Sequence, residues 1–452
     1  MKKNSGRLVL LVMLVCGGFS TFLVGQAGAE EPYVQFLNSL RESRYFDMAE
    51  EYLSRLAEDP QVSADFKQRL PYERAVTLIQ GSTTIANHEV RGKQLDRAEA
   101  FIKEFVAKNA QHPLKIKANS QLGNLLQLRA SSNVKRANTP SQRSRKTELL
   151  AVGRKHYLES YKVFMTSKEA IKKQLEGMKR ALDPKTQQKE IAVRNEFRKD
   201  YLQLQLLGAL ILEETADTVE PGTAEYKKYL NDAAKQFDEI YTKYRSLNAG
   251  VYSRVYQGRC YKKLGQLKEA LGYLNEILQQ PDNPAFREVK TTALVLAMEC
   301  WLHESQKKYA QAVALGDEWV GDMRPNEENH PDWLQLRLLL AEGHLFYAAK
   351  LKGENPRDKQ VRRSEIQARK LARDVARFSG DYKEQAQALL AKMPGGDNTA
   401  ETPEADPETF AEAKDAAKEA IDGWSTARLV MQVVPARLQE ETNAEVKQEL
   451  QK

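Results

Sequence analysis

The stretch that decides the fold is residues 252–278, which read YSRVYQGRCYKKLGQLKEALGYLNEIL and are followed by Pro281. Apolar residues recur in it every three or four positions, which is the spacing of one face of an α-helix. Gly265 interrupts the run, so the pattern predicts two helices joined by a short turn. Small residues on both predicted helices, Gly258 and Ala270, would let two antiparallel helices approach closely.

This stretch resembles one tetratricopeptide repeat (TPR). In that family a small residue, an aromatic, a turn glycine and an alanine stand at the positions of Gly258, Tyr261, Gly265 and Ala270. One helix pair leaves an apolar face that the next pair covers, so such repeats stack into right-handed solenoids. The resemblance implies an exported bacterial member of the TPR-like superfamily, with an all-α fold and a role in holding another molecule.

Weaker versions of the same spacing lie before and after a central region, residues 131–214, that has another pattern. They predict TPR-like helix pairs over residues 30–130 and 215–393. Between them, residues 131–146 hold five Lys or Arg and no acid, and predict a basic loop insert. Residues 147–214 carry apolar residues at a four-three spacing on both sides of Asp183-Pro184, and predict a long, basic, antiparallel helical hairpin.

The charge is distributed unevenly along the chain. From Pro113 to Lys199 there are 21 Lys or Arg and 7 Asp or Glu, whereas residues 395–452 contain 6 and 13. The excess of basic residues predicts an anionic partner, which is an acidic polymer, an anionic lipid surface or the chain's own acidic tail after Pro394. The alternative is an ordinary solvated face. The candidate anion-contacting residues are Lys135, Arg136, Arg143, Arg145, Lys146, Lys172 and Lys173.

Residues 1–29 have the pattern of a secretory signal peptide. Three basic residues precede an uncharged run from Leu8 to Gly25, and the Ala-Gly-Ala sequence at 27–29 fits a cleavage site before Glu30. We therefore expect export to the periplasm or cell envelope, away from nucleic acid. The alternative is an uncleaved membrane anchor, because the uncharged run is about long enough to span a bilayer.

The C-terminal region differs in composition from the predicted repeats. Residues 394–407 are rich in Pro, Gly, Thr and acidic residues and predict a flexible linker. Residues 408–452 predict an acidic helical tail with a one-sided apolar pattern. The tail is expected either to cap the last repeat or to bind a partner.

The motifs of common catalytic and metal sites are missing from the sequence. The histidines have no metal-ligand spacing, and there is no Gly-rich phosphate loop, Gly-x-Ser-x-Gly or Cys-x-x-Cys. We therefore predict a protein that is not an enzyme, with no catalytic residue, metal ligand or cofactor. Cys260 and Cys300, which remain after export, are either two buried thiols or one disulfide.

A cluster of tyrosines is the candidate binding surface for a partner. Tyrosine combines a flat apolar ring with a polar hydroxyl, which suits contact with peptides or sugars. Tyr241, Tyr244 and Tyr252 are the members that the repeat pattern does not assign to the core. The principal hypothesis is a scaffold or adaptor that binds another envelope protein. The alternatives are a glycan or envelope-polymer binding protein, and a non-catalytic partner of a cell-wall enzyme.

Overall fold

The structure is a computed structural model that describes residues 32–179, 181–281 and 283–393. These residues form fifteen α-helices and three short 3-10 helices, and no strand occurs among them. The prediction of an all-α fold is confirmed. No helix in this part of the chain is long and apolar enough to cross a membrane. The expected signal peptide, linker and acidic tail lie outside the described residues.

The helices are numbered in chain order. They are α1 Pro32–Glu42, α2 Phe46–Glu58, α3 Ala64–Ser82, α4 His88–Lys108, α5 Lys115–Ala137, α6 Lys146–Gly177, α7 Gln188–Ala216, α8 Ala224–Tyr244, α9 Asn248–Lys263, α10 Leu267–Leu278, α11 Arg287–Trp301, α12 Tyr309–Gly321, α13 Pro331–Glu354, α14 Lys359–Ala376 and α15 Asp381–Leu390. The 3-10 helices are Pro140–Arg145, Pro284–Phe286 and Pro325–Glu327.

The described residues divide after Leu371 into two compact units. In the first unit each helix from α1 to α12 packs against the next one, so the series of contacts reaches α13. Alternate helices also touch: α3 contacts α5, α7 contacts α9, α9 contacts α11, and α11 contacts α13. The described residues of the second unit comprise the end of α14 and the helix α15.

The helices α9 and α10 occupy the stretch quoted at the start. Gly265 lies in the turn between them with φ +79°, a left-handed conformation that glycine adopts without a steric penalty. A Cβ atom on Gly258 would lie 3.0 Å from Leu274 Cγ and 3.3 Å from the carbonyl oxygen of Ala270. Ala270 and Leu274 are fully buried. The close contact of the two helices therefore depends on the absence of a side chain at residue 258.

Replacing Gly258 by Leu should lower the unfolding free energy by about 1–3 kcal/mol, because the new side chain must displace Leu274. A matched control is Gly272→Ala in α10, where a Cβ would meet nothing within 4 Å. The control should stabilise the helix by up to about 1 kcal/mol. Chemical denaturation of both variants measures the difference. Equal transition midpoints for G258L and the unmodified protein would contradict the described contact.

The helices α6 and α7 are the longest of the described helices, with 32 and 29 residues, and they pack against each other. α6 ends at Gly177, earlier than the Asp183-Pro184 stop that the sequence predicts. Glycine is a poor helix former. The residues that follow Gly177 are mostly exposed, so they gain no packing that would stabilise further helical turns. None of the described residues from 172 to 203 is buried.

The prediction of a basic loop at residues 131–146 is wrong for most of that segment. α5 continues to Ala137, a 3-10 helix covers Pro140–Arg145, and α6 begins at Lys146. Ala137 is buried and Val134 packs against the core cluster that contains Tyr157. These two apolar residues on one face are therefore enough to hold the last turns of α5.

The two cysteines of the described chain are free thiols. Cys260 in α9 and Cys300 in α11 are both fully buried. Burial raises the pKa of the Cys260 thiol well above its usual value, and raises that of Cys300 to about 12. Both thiols therefore stay protonated and act as small buried side chains rather than as a disulfide.

Candidate functional site

The three candidate tyrosines do not form an exposed surface. Tyr241 is buried, its ring centroid lies 4.5 Å from the Arg254 guanidinium, and its hydroxyl donates to Glu276 at 2.5 Å. Tyr244 and Tyr252 are half-buried and pack against the core formed by α7, α8 and α9. The expectation of an exposed ring at Tyr241 is wrong.

A sequence signal for the burial of Tyr241 was present. Tyr241 follows Phe237 by four residues, and Phe237 is fully buried. Residues four apart lie on the same helix face. The stripe of α8 that carries Phe237 therefore also carries Tyr241 into the core.

The candidate anion-contacting residues Lys135 and Arg136 lie at the end of α5 and are half-buried. The structure brings them, together with Arg91, close to His88 at the start of α4. Burial lowers the pKa of His88, and the charges of Arg91, Arg136 and Lys135 lower it further. His88 and Arg91 were missed in the sequence because they lie more than forty residues before Lys135.

The other five candidate anion-contacting residues are exposed and lie apart along the chain. Arg143, Arg145 and Lys146 flank the start of α6, and Arg145 already forms an ion pair with Glu148 at 2.9 Å. Lys172 and Lys173 lie further along α6. The seven residues therefore form no single site, but they add positive charge along α5 and α6.

A surface groove of about 550 Å³ lies between α6 and α8. Its lining residues on α6 follow one another at three- and four-residue spacing, so they share one face of the helix. Leu158, near the middle of this face, is 40% exposed. The lining consists of Ala151, Arg154, Lys155, Leu158, Glu159 and Lys162 on α6, and of Glu225 and Tyr229 on α8.

One wall of the groove is held by an ion pair between α6 and α8. Nη1 of Arg154 lies 3.2 Å and 3.1 Å from the two carboxylate oxygens of Glu225. The Tyr229 hydroxyl donates to the same carboxylate at 3.0 Å, and burial together with this bond raises the pKa of Tyr229. Lys155 and Lys162 form no ion pair with any carboxylate among the described residues. The groove therefore combines an apolar centre with two unpaired lysines.

The groove was not predicted from the sequence, because only one apolar face was assigned to the hairpin. Ala151 and Leu158, seven residues apart, form a second apolar stripe, and Lys155 and Lys162 repeat the same interval. An apolar stripe outside the predicted seam was the available signal.

A buried ion cluster joins α7 to α9. Arg259 contacts Glu213 through two hydrogen bonds of 2.6 Å and 2.5 Å, and Lys263 Nζ lies 3.1 Å from the same carboxylate. Glu213 is almost completely buried. Burial alone would raise its pKa, but the charges of Arg259 and Lys263 outweigh that effect and lower the pKa of Glu213 to about 2.

The next residue, Glu214, has the opposite electrostatic environment. Gln127 of α5 donates to its two carboxylate oxygens at 3.3 Å and 3.2 Å, and Tyr157 of α6 also bonds to it. No cation among the described residues pairs with Glu214, and burial raises its pKa to about 7. Neighbouring carboxyls on α7 therefore connect to different helices and have pKa values on opposite sides of the usual range.

Polar links continue from α9 to the later alternate helices. Lys262 of α9 bonds to Glu299 of α11, and Gln335 of α13 donates to Glu299 at 2.8 Å. Together with Gln127–Glu214 and Glu213–Arg259, these bonds connect α5, α7, α9, α11 and α13 in order. For α7, α9, α11 and α13, these side-chain bonds link the same alternate helices whose backbones lie close together.

Among the described residues, no group of three or more His, Cys, Asp or Glu side chains is placed to hold a metal ion. Comparison of the sequence with protein-family models gave no match, and comparison with curated proteins gave none either. The resemblance to tetratricopeptide repeats therefore rests on the residues and contacts described above.

Proposed function

We propose that the protein is a non-catalytic, TPR-like scaffold that binds another protein of the cell envelope. The observation that carries this proposal is the contact of α9 with α10, in which Gly258 faces Ala270 and Leu274 across a turn at Gly265. These are the places where the repeat pattern calls for small residues and a turn glycine. A fold whose repeated unit exposes helix faces on both sides is suited to binding rather than to chemistry.

The proposal includes a right-handed solenoid arrangement of helix pairs within residues 32–371. Its support is the combination of contacts between consecutive helices with contacts between the alternate helices α7, α9, α11 and α13. Stacked helix pairs produce this combination because each pair packs on the pair before it. The polar links from Gln127 to Gln335 follow the same order.

Export is part of the proposal and rests on the sequence of residues 1–29. We expect a mature chain that begins near Glu30 and acts in the periplasm or cell envelope. The alternative retains the uncleaved apolar segment as a membrane anchor.

The packing of the tyrosines favours a protein partner over a glycan. Flat exposed rings are the usual platform for sugars. Tyr241 is buried, and Tyr244 and Tyr252 are partly covered by their neighbours. Binding to a cell-wall enzyme is one form of the same scaffold role. The exposed basic residues of α6, including Lys172 and Lys173, remain candidates for contact with an acidic polymer or anionic lipid.

One retention assay separates these candidates. The immobilised mature chain, residues 30–452, is exposed in turn to envelope proteins, to envelope polysaccharide and to anionic liposomes. We expect it to retain a defined protein. Retention of liposomes through the basic residues should disappear between about 0.1 M and 1 M salt, as the Debye length falls from about 10 Å to about 3 Å. Retention of polysaccharide without any protein would replace the scaffold proposal by glycan binding.

A further inference from the structure

We propose that the groove between α6 and α8 is a docking site for an acidic amphipathic helix of the partner protein. The inference rests on the proposed scaffold function and names the surface and the partner chemistry. The evidence for it is the spacing of the residues that line the groove, and which of their charges already have an ion-pair partner.

The spacing of the lining residues fits a helix that lies along α6. Ala151, Lys155, Leu158 and Lys162 follow one another at intervals of four, three and four residues, and all four are exposed. That is the interval at which one helix presents side chains to another packed along it. Apolar residues of the partner at three- and four-residue spacing would cover Ala151 and Leu158.

The walls of the groove favour a helix over an extended segment. The lining residues of α6 lie inside Lys146–Gly177, and those of α8 lie inside Ala224–Tyr244. Backbone groups inside a helix are already paired, so an extended peptide finds no strand edge with which to bond. Recognition must therefore use side chains, which a helical partner supplies at the matching spacing.

The charges of the groove favour an acidic partner. Glu225 is already occupied by Arg154 and by the hydroxyl of Tyr229. Lys155 and Lys162 have no ion pair with a carboxylate among the described residues, and Glu159 is the remaining acidic lining residue. Carboxylates of the partner placed two turns apart would reach both lysines while its apolar side chains cover Leu158.

The test measures binding of a labelled peptide to the full mature chain by fluorescence anisotropy. The peptide is an amphipathic helix of about 18 residues with Leu at three- and four-residue spacing and Glu beside the Leu stripe. We expect saturable binding, and we expect K155E/K162E to weaken it about tenfold or more because two attractions become repulsions. A peptide with Lys in place of Glu should not bind.

The matched control is K227E/K235E, which makes the same charge change on α8 at two exposed lysines outside the groove. It should leave peptide affinity within about twofold, because neither lysine lines the groove and exposed charges are screened by salt. Circular dichroism and thermal melting establish that both double variants remain folded. Equal losses in the two double variants, binding of the Lys peptide, or absence of binding by the unmodified chain would each overturn the docking proposal.

Failure of the groove proposal and failure of the scaffold proposal give different experimental results. If K155E/K162E retains an envelope protein as well as the unmodified chain does, the groove proposal is wrong and the scaffold proposal stands. If the unmodified chain retains no envelope protein, the scaffold proposal fails whatever the peptide does.

Discussion

Replacing Arg259 by Met should lower the unfolding free energy by about 3 kcal/mol, because it leaves the buried Glu213 carboxylate without its main partner. Arg259 supplies both hydrogen bonds to this carboxylate, while Lys263 remains at 3.1 Å and limits the loss. The measurement is chemical denaturation near neutral pH. The ion cluster also fixes α7 to α9, so the same change should loosen the contact of these two helices.

Two controls show whether the loss arises from an uncompensated buried charge. The double variant E213L/R259M removes both charges and should recover most of the stability, since apolar groups of similar volume replace buried ion pairs well. R145M breaks the exposed pair with Glu148 and should leave stability unchanged. A loss in R259M no larger than that in R145M would contradict the buried cluster.

Replacing Glu214 by Gln should stabilise the protein at and above about pH 7 and have little effect below pH 4.5. The pKa of Glu214 in the folded protein is about 7, against 4.5 for an unperturbed Glu. The folded state therefore binds the proton more tightly than the unfolded state does. Stability from this group is complete below pH 4.5 and is lost as the pH rises through about 7.

The expected size of this loss in the unmodified protein is about 3 kcal/mol between about pH 5 and about pH 8. E214Q should lack that decline because its side chain does not ionise. Glu213 does not interfere, since its pKa of about 2 makes its own contribution change only below pH 4.5. Parallel stability curves of E214Q and the unmodified protein over this range would contradict the environment described for Glu214.

The sequence predicted best where structure depends on local spacing. The turn at Gly265 and the small residues Gly258 and Ala270 follow from helix period and from the need for a close approach. The length of α5 was underestimated because Val134 and Ala137 looked too few to hold a helix, although burial of Ala137 and partial burial of Val134 are enough. Local pattern gives no measure of how deeply such residues are covered.

The charged sites could not be predicted because they depend on long-range contacts. Glu213 and Arg259 are 46 residues apart, and Gln127 and Glu214 are 87 residues apart. In a chain with 29% charged residues, no property of the sequence distinguishes these side chains from those on solvated faces. Only their packing in the folded protein distinguishes them from charged residues on solvated faces.

The most direct test of the proposed scaffold function is retention of envelope proteins by three forms of the mature chain. We expect the unmodified chain and K227E/K235E to retain the same defined protein, and K155E/K162E to lose most of it. Purified partner should then bind the unmodified chain with a measurable Kd. If the folded, unmodified chain retains no envelope protein, the scaffold proposal is contradicted.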